Sequence, residues 1–338
     1  MNNNFDFLRL IFALFVVIAH SYPLSGNSVA NQWIYRLTEG QIELSSIGLN
    51  GFFIISGYLI FQSLERSKTI IGYLWKRILR LFPALFIVLL ITLLLAPIVY
   101  ENSISYFKNK EVLSYFPRNL FLYDLQYSIA GVFDKNPYPL AINGSLWTIC
   151  YEFSMYLLIG ILFFTNSRMI RLVVLLIAFV FMFFSYNFLM EQYGTIFMFG
   201  MQSLHFFNLG TFFAAGALLG VVKIERIKYK KVLLVLVLFL MVVALKFNLY
   251  NSVKHILLTL LILLFGLIAV DPIHKVNVMG DLSYGIYIYS FPIQQTLMYY
   301  FKLSTETLIL SSVLLSILFG YLSWHLIEKR MLVFKNKF

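Results

Sequence analysis

Of the ionisable side chains inside long apolar runs, His20 and Glu152 matter most. Hydrocarbon disfavours such groups, so each is a functional candidate. At 1.5 Å per residue, His20 lies roughly 6 Å inside a span ending at 24. Glu152 lies roughly 7.5 Å inside a span that begins at 147 and runs the other way. Similar depth on adjoining helices would let the carboxylate accept the imidazole N–H, fix its tautomer and raise its basicity. A general base needs that arrangement. The plainer role for such a histidine is a hydrogen bond to a neighbouring helix.

Three arginines form a second constellation. Arg9 is eleven residues before His20, about 16 Å away on one helix. Arg77 and Arg80 share a helical face beside the third apolar run. Guanidinium forks suit bidentate phosphate contacts. The competing role is anchoring at the cytoplasmic membrane face, which spacing alone favours. Small and polar residues gather in Gly48–Gly57, with Ser56 and Gly57 as candidate site-lining positions and Gly48 and Gly51 as packing positions. Asn143-Gly144-Ser145 before Trp147 reads as a turn with an interfacial aromatic, whose amide and hydroxyl groups are also candidates to line a site.

These residues must be held by a membrane bundle. Of 338 residues, 60% are hydrophobic and 12% charged. A soluble fold could not hide that much apolar surface, and disorder requires the opposite composition. Apolar runs of spanning length recur near 7–24, 46–63, 81–99, 147–164, 172–190, 205–222, 232–247, 253–270, 283–301 and 307–325. The expected fold is therefore an all-α polytopic membrane protein of about ten helices. With the N-terminus in the cytoplasm, 18 of the 26 Lys and Arg residues fall on the inner side and 8 on the outer, which places both termini inside. The net charge of +11 then reflects topology rather than nucleic-acid binding. His20 and Glu152 lie toward the outer face and the arginines toward the inner. The segment 100–146 is expected outside, folded over the mouth of the bundle. Cys150 is the single cysteine, so neither an internal disulfide nor a cysteine-based metal site is expected. His325 and Glu328 are expected to pair, and Lys254 and His255 to flank a short outer loop.

Five stretches, in order, resemble the membrane-bound acyltransferase family 3. They are Phe5-Asp6-Phe7-Leu8-Arg9 running on to His20, Gly51–Ile60, Lys76–Pro83, Ser145-Leu146-Trp147-Thr148 through Glu152 to Tyr156, and Ser283–Tyr287 through Phe291-Pro292. Two positions depart from the family pattern: Ser290 where many members have histidine, and Arg330 where proline is common.

The resemblance implies transfer of an acyl group, usually acetyl, from cytoplasmic acyl-CoA to a hydroxyl of a cell-envelope or exported carbohydrate. It makes His20 and Glu152 the catalytic pair, gives Arg9, Arg77 and Arg80 to the coenzyme phosphates and adds Tyr156 to the site lining. It implies no metal and no permanently bound cofactor. One transmembrane domain over 1–338 is expected, with no appended soluble domain, in a bacterial-type cytoplasmic membrane. The rival expectation is a transporter or flippase that uses the same polar groups to move a polar lipid-linked or small-molecule substrate.

Overall fold

A computed structural model describes residues 3–268, 270 and 280–336. Lys275 and Lys337, both counted on the inner side above, lie outside the described residues. Helix dominates because the backbone of an apolar segment satisfies its own hydrogen bonds only in that form. The long helices are α1 Phe5–Leu24, α2 Leu44–Glu65, α3 Ile70–Leu95, α4 Trp147–Gly160, α5 Arg168–Phe184, α6 Ser203–Val221, α7 Lys230–Lys246, α8 Tyr250–Leu267, α9 Ser283–Phe301 and α10 Thr305–Ser323. A two-stranded hairpin, Phe197–Met198 with Met201–Gln202, precedes α6.

All ten expected spans therefore exist as helices. Among the described residues, eight helical stretches are long and apolar enough to cross a membrane. The other two expected spans are α7, with 17 residues, and α9, which is rich in Tyr, Ser and Gln. Local chemistry sets several starts. Thr69 accepts from the Gly72 N–H at 2.9 Å, Ser167 from Ile170 at 3.3 Å and Ser304 from Thr307 at 3.3 Å.

One boundary differs from the sequence expectation. The third span was placed at 81, with Lys76, Arg77 and Arg80 as its approach, but α3 begins at Ile70 and carries all three inside the helix. Hydropathy discounts these charges, whereas the fold supplies partners for them.

Helix α1 is central. It packs on α2, α9 and α10 and touches α8, while α2 also packs closely on α6. By contrast, α5 buries only Leu175 and forms an apolar flank. The crossing of α2 and α6 is tight. A Cβ on Gly57 would come within 2.0 Å of the Phe213 carbonyl oxygen, and one on Gly216 within 2.2 Å of the Ile54 carbonyl oxygen. Gly57 is thus a packing residue at this crossing. Only a missing side chain permits this backbone approach.

Candidate active site

Three cavities lie along the α1 axis. The first is basic, about 340 Å³, and includes Arg9, Ser56, Arg66, Lys76, Arg77, Arg80, Tyr156 and Lys335 in its wall. The second, about 40 Å³, also touches Arg9 and is bounded by Thr148, Glu152, Tyr284 and Tyr287. The third, about 400 Å³, holds His20 among Tyr127, Tyr138, Trp147 and Phe291. Arg9 and His20 thus mark two ends of one helix.

At the basic end, Asp281 is the hub. One carboxylate oxygen accepts from both Arg9 and Arg80, and the other accepts from the Ser283 hydroxyl at the start of α9. Burial would raise the Asp281 pKa, but the Arg80 and Arg9 guanidiniums and the Ser283 bonds hold it below the usual carboxylate range. Arg80 also meets Glu328 at 3.3 Å, and the Ser323 hydroxyl donates to Glu328 at 2.9 Å. Glu328 therefore pairs with Arg80 and Ser323 rather than with His325, correcting the expected pairing. Sequence reading missed Asp281. The available signal was a carboxylate at the entry of a span, on the side of the bundle where arginines collect.

Arg77 differs from its neighbours. It donates to Ser63 Oγ at 3.1 Å and stands 5.8 Å from the ring centres of Tyr73 and Tyr156, and its buried Nε has no partner among the described residues. Glu152 lies nearby. Its Oε1 accepts from the Ser56 hydroxyl at 3.0 Å and from the Tyr156 hydroxyl. Ser56 and Tyr156 both line the basic cavity.

His20 is elsewhere. Its ring meets Phe291 edge-on at 5.2 Å, and its buried Nδ1 has no hydrogen-bond partner among the described residues. The expected contact with Glu152 does not form. His20 shares its cavity with Gly144 and Trp147, whereas Glu152 is five residues further along α4, roughly 7.5 Å deeper. The Thr148–Tyr287 hydroxyl pair, 2.6 Å apart, lies at the intermediate level. The pairing inferred from sequence required α1 and α4 to adjoin, whereas α1 packs on α2, α9 and α10 and α4 packs on α3, α6 and α2.

The remaining lining candidates divide. Trp147 faces the His20 cavity. Asn143 donates to the Ile288 carbonyl at 2.8 Å and accepts from the Ser145 N–H at 3.1 Å, and Ser145 is fully buried. Both fix the turn before α4, and the wall of the His20 cavity takes Gly144 from this turn.

The 100–146 segment does fold over this mouth. It contributes Tyr127, Tyr138, Leu140, Ala141 and Gly144 to the cavity. Gln295 holds that roof, donating to the Tyr138 and Ala141 carbonyls at 2.7 and 2.6 Å. Gln294 grips α1 on the other side through the Val17 carbonyl and Ser21 Oγ, both at 2.8 Å. Ser290, one of the family departures, donates to the Tyr287 carbonyl at 3.2 Å. Lys254 and His255 do not flank a loop but lie buried in α8, bonded to Tyr186 at 2.9 Å and Asn208 at 3.0 Å.

The family described as "Acyltransferase domain" matches residues 2–326, nearly the whole chain. The protein belongs to the acyltransferase 3 family. It is similar to the "O-acetyl transferase" of Shigella phage Sf6, 28% identical over 346 residues, covering 98% of this chain and 96% of that protein. It is also similar to "Nodulation protein 10" of Rhizobium leguminosarum bv. viciae, 29% identical over 169 residues, covering 47% of this chain and 44% of that one. No solved structure matches. The chain is thus a multi-pass membrane enzyme that transfers acyl groups, and the transporter alternative falls away.

Proposed function

We propose that this acyltransferase moves an acetyl group from cytoplasmic acetyl-CoA to a hydroxyl of a cell-envelope or exported carbohydrate. The supporting observation is the polarity of α1: a cavity with six Lys and Arg residues at the Arg9 end, and an unpartnered imidazole in an aromatic cavity at the His20 end. Diphosphate oxygens suit the first, and Arg77, whose Nε has no partner, is the best placed to receive them. Sugar rings present apolar C–H faces that pack on aromatic walls such as Tyr127, Tyr138 and Trp147. The "O-acetyl transferase" relative supports acetyl as the group and a hydroxyl as the acceptor. On this reading the basic end faces the cytoplasm and the His20 end the opposite side.

His20 serves as the general base. Its Nε2, the ring nitrogen not buried against protein, takes the proton of the acceptor hydroxyl as the oxygen attacks the thioester carbonyl. A C–O bond forms, the C–S bond breaks, and the imidazolium returns its proton to the departing thiolate. An acyl-histidine relay would use the same nitrogen as nucleophile. Glu152 acts one level deeper, where it orients Tyr156 and Ser56 and faces the Arg77 charge along the route of the pantetheine arm.

The test is transfer of radiolabelled acetyl from acetyl-CoA to envelope glycan in membranes. His20→Ala should abolish label transfer while the protein inserts at its normal level. Substantial turnover in His20→Ala would refute the general-base role, and unchanged glycan masses in cells lacking the gene would refute the carbohydrate acceptor.

A further inference from the structure

A fourth cavity, about 670 Å³, opens beside the basic one and contains Asn3, Tyr58, Gln62, Glu65, Arg66, Lys223, Glu225 and Lys230 among its lining residues. Leu59 and Arg66 belong to both walls, so the two spaces adjoin at the end of α2. The large cavity shares no residue with the small Glu152 cavity, which meets the basic one at Arg9. The order in space is thus large cavity, basic cavity, Glu152 cavity.

The carboxylates of this cavity have partners. Tyr58 donates to Glu225 at 3.0 Å, and Glu65 meets Arg171 at 3.6 Å. The ammonium groups of Lys223 and Lys230 form no ion pair with any described residue, although each is only half-exposed. Lys223 terminates α6 in a left-handed conformation, φ 60°, and Lys230 begins α7, so the α6–α7 turn delivers two cations to one wall. Leu59, Gly220 and Leu267 give that wall an apolar part, and Gln62 supplies an amide able to donate and accept.

A linear donor whose thioester must reach His20 can enter this series in one direction only. Resting on the coenzyme A reading above, we propose that the large cavity takes the adenosine 3′-phosphate end of the donor, with Lys223 and Lys230 binding the 3′-phosphate. The diphosphate then lies against Arg66, Lys76 and Arg77, and the arm leaves past Arg9. Lys223 and Lys230 are specificity residues. They distinguish coenzyme A from its 3′-dephospho form and take no part in the acyl transfer.

The experiment is equilibrium binding of coenzyme A and 3′-dephospho-coenzyme A to the detergent-purified full chain, wild type and Lys223→Gln/Lys230→Gln. The wild type should prefer coenzyme A by about tenfold, the scale of one charge-assisted hydrogen bond. In the double variant the preference should vanish while affinity for the dephospho form stays at the wild-type value, which also shows that the variant is folded. Equal wild-type affinity for the two forms overturns the proposal and leaves the donor reading intact. So does a double variant that keeps the wild-type ratio. A wild-type protein that binds neither form overturns the donor reading and this proposal together.

Discussion

Replacing Asp281 by Asn preserves size and the capping oxygen toward Ser283 but removes the charge between two guanidiniums. In the native protein Arg9, Arg80 and Asp281 are 19, 15 and 12% exposed at the side chain, so solvent screens them weakly. Breaking one partner out of a buried ion pair costs about 3–5 kcal/mol, because the remaining charge is left desolvated. Glu328 stays 3.3 Å from Arg80 and absorbs part of that loss, which sets the expectation near the lower end, about 3 kcal/mol. Cys150 supplies the readout. It is the single cysteine, buried within α4, and a thiol-reactive dye should label it only when the bundle opens. Thermal unfolding in detergent should show an earlier onset of labelling for Asp281→Asn, shifted by several degrees and little changed by added salt. Arg9→Gln in the Asp281→Asn background should cost less than in the wild type, since the two side chains act together. An Asp281→Asn protein that unfolds within a degree of the wild type would refute the hub assignment.

Gly57→Ala should lower the yield of folded protein sharply, at a cost of about 3 kcal/mol or more, because the new methyl meets the fixed Phe213 carbonyl, not a yielding side chain; normal detergent stability would contradict the α2–α6 crossing. Glu152→Gln should reduce kcat/KM by roughly tenfold to hundredfold, the range for loss of a charge from a hydrogen-bonded group, and leave measurable turnover, unlike His20→Ala. Equal and complete loss in both would restore the direct pairing that the structure lacks. Gln295→Ala frees the Tyr138 and Ala141 carbonyls and should raise KM for the acceptor more than it lowers kcat; an unchanged acceptor KM would show that the roof needs no such tie.

The helices were legible because a bilayer imposes a length and a composition that single runs must meet. The start of α3 was not. Its Lys76, Arg77 and Arg80 read as an aqueous approach, whereas Arg80 is matched by Asp281 and Glu328, about 200 and 250 residues away in sequence. Helical rise fixed the separation of Arg9 from His20 on one helix, but it carries no information about which helices adjoin. The His20–Glu152 contact was expected for want of that information, since α1 and α4 pack on different neighbours. Ser56, Trp147 and Tyr156 reach cavities. Gly57, Asn143 and Ser145 turned inward to partners on α6, on α9 and in their own turn, contacts that no local pattern announces.

The Thr148–Tyr287 pair has a consequence for the cell that hosts the enzyme. A catalyst reached from two sides of a membrane risks becoming a leak for protons and ions. Here the basic and aromatic chambers have no wall residue in common, and the 40 Å³ space beside the hydroxyl pair holds only a few water molecules. A metal or halide ion stripped to fit that space would forfeit most of its hydration, a cost that opposes passage. An uncharged pantetheine arm would pay only the smaller cost of burying its amides and hydroxyl. On the coenzyme A reading proposed above, the same constriction would pass an uncharged arm more readily than an ion.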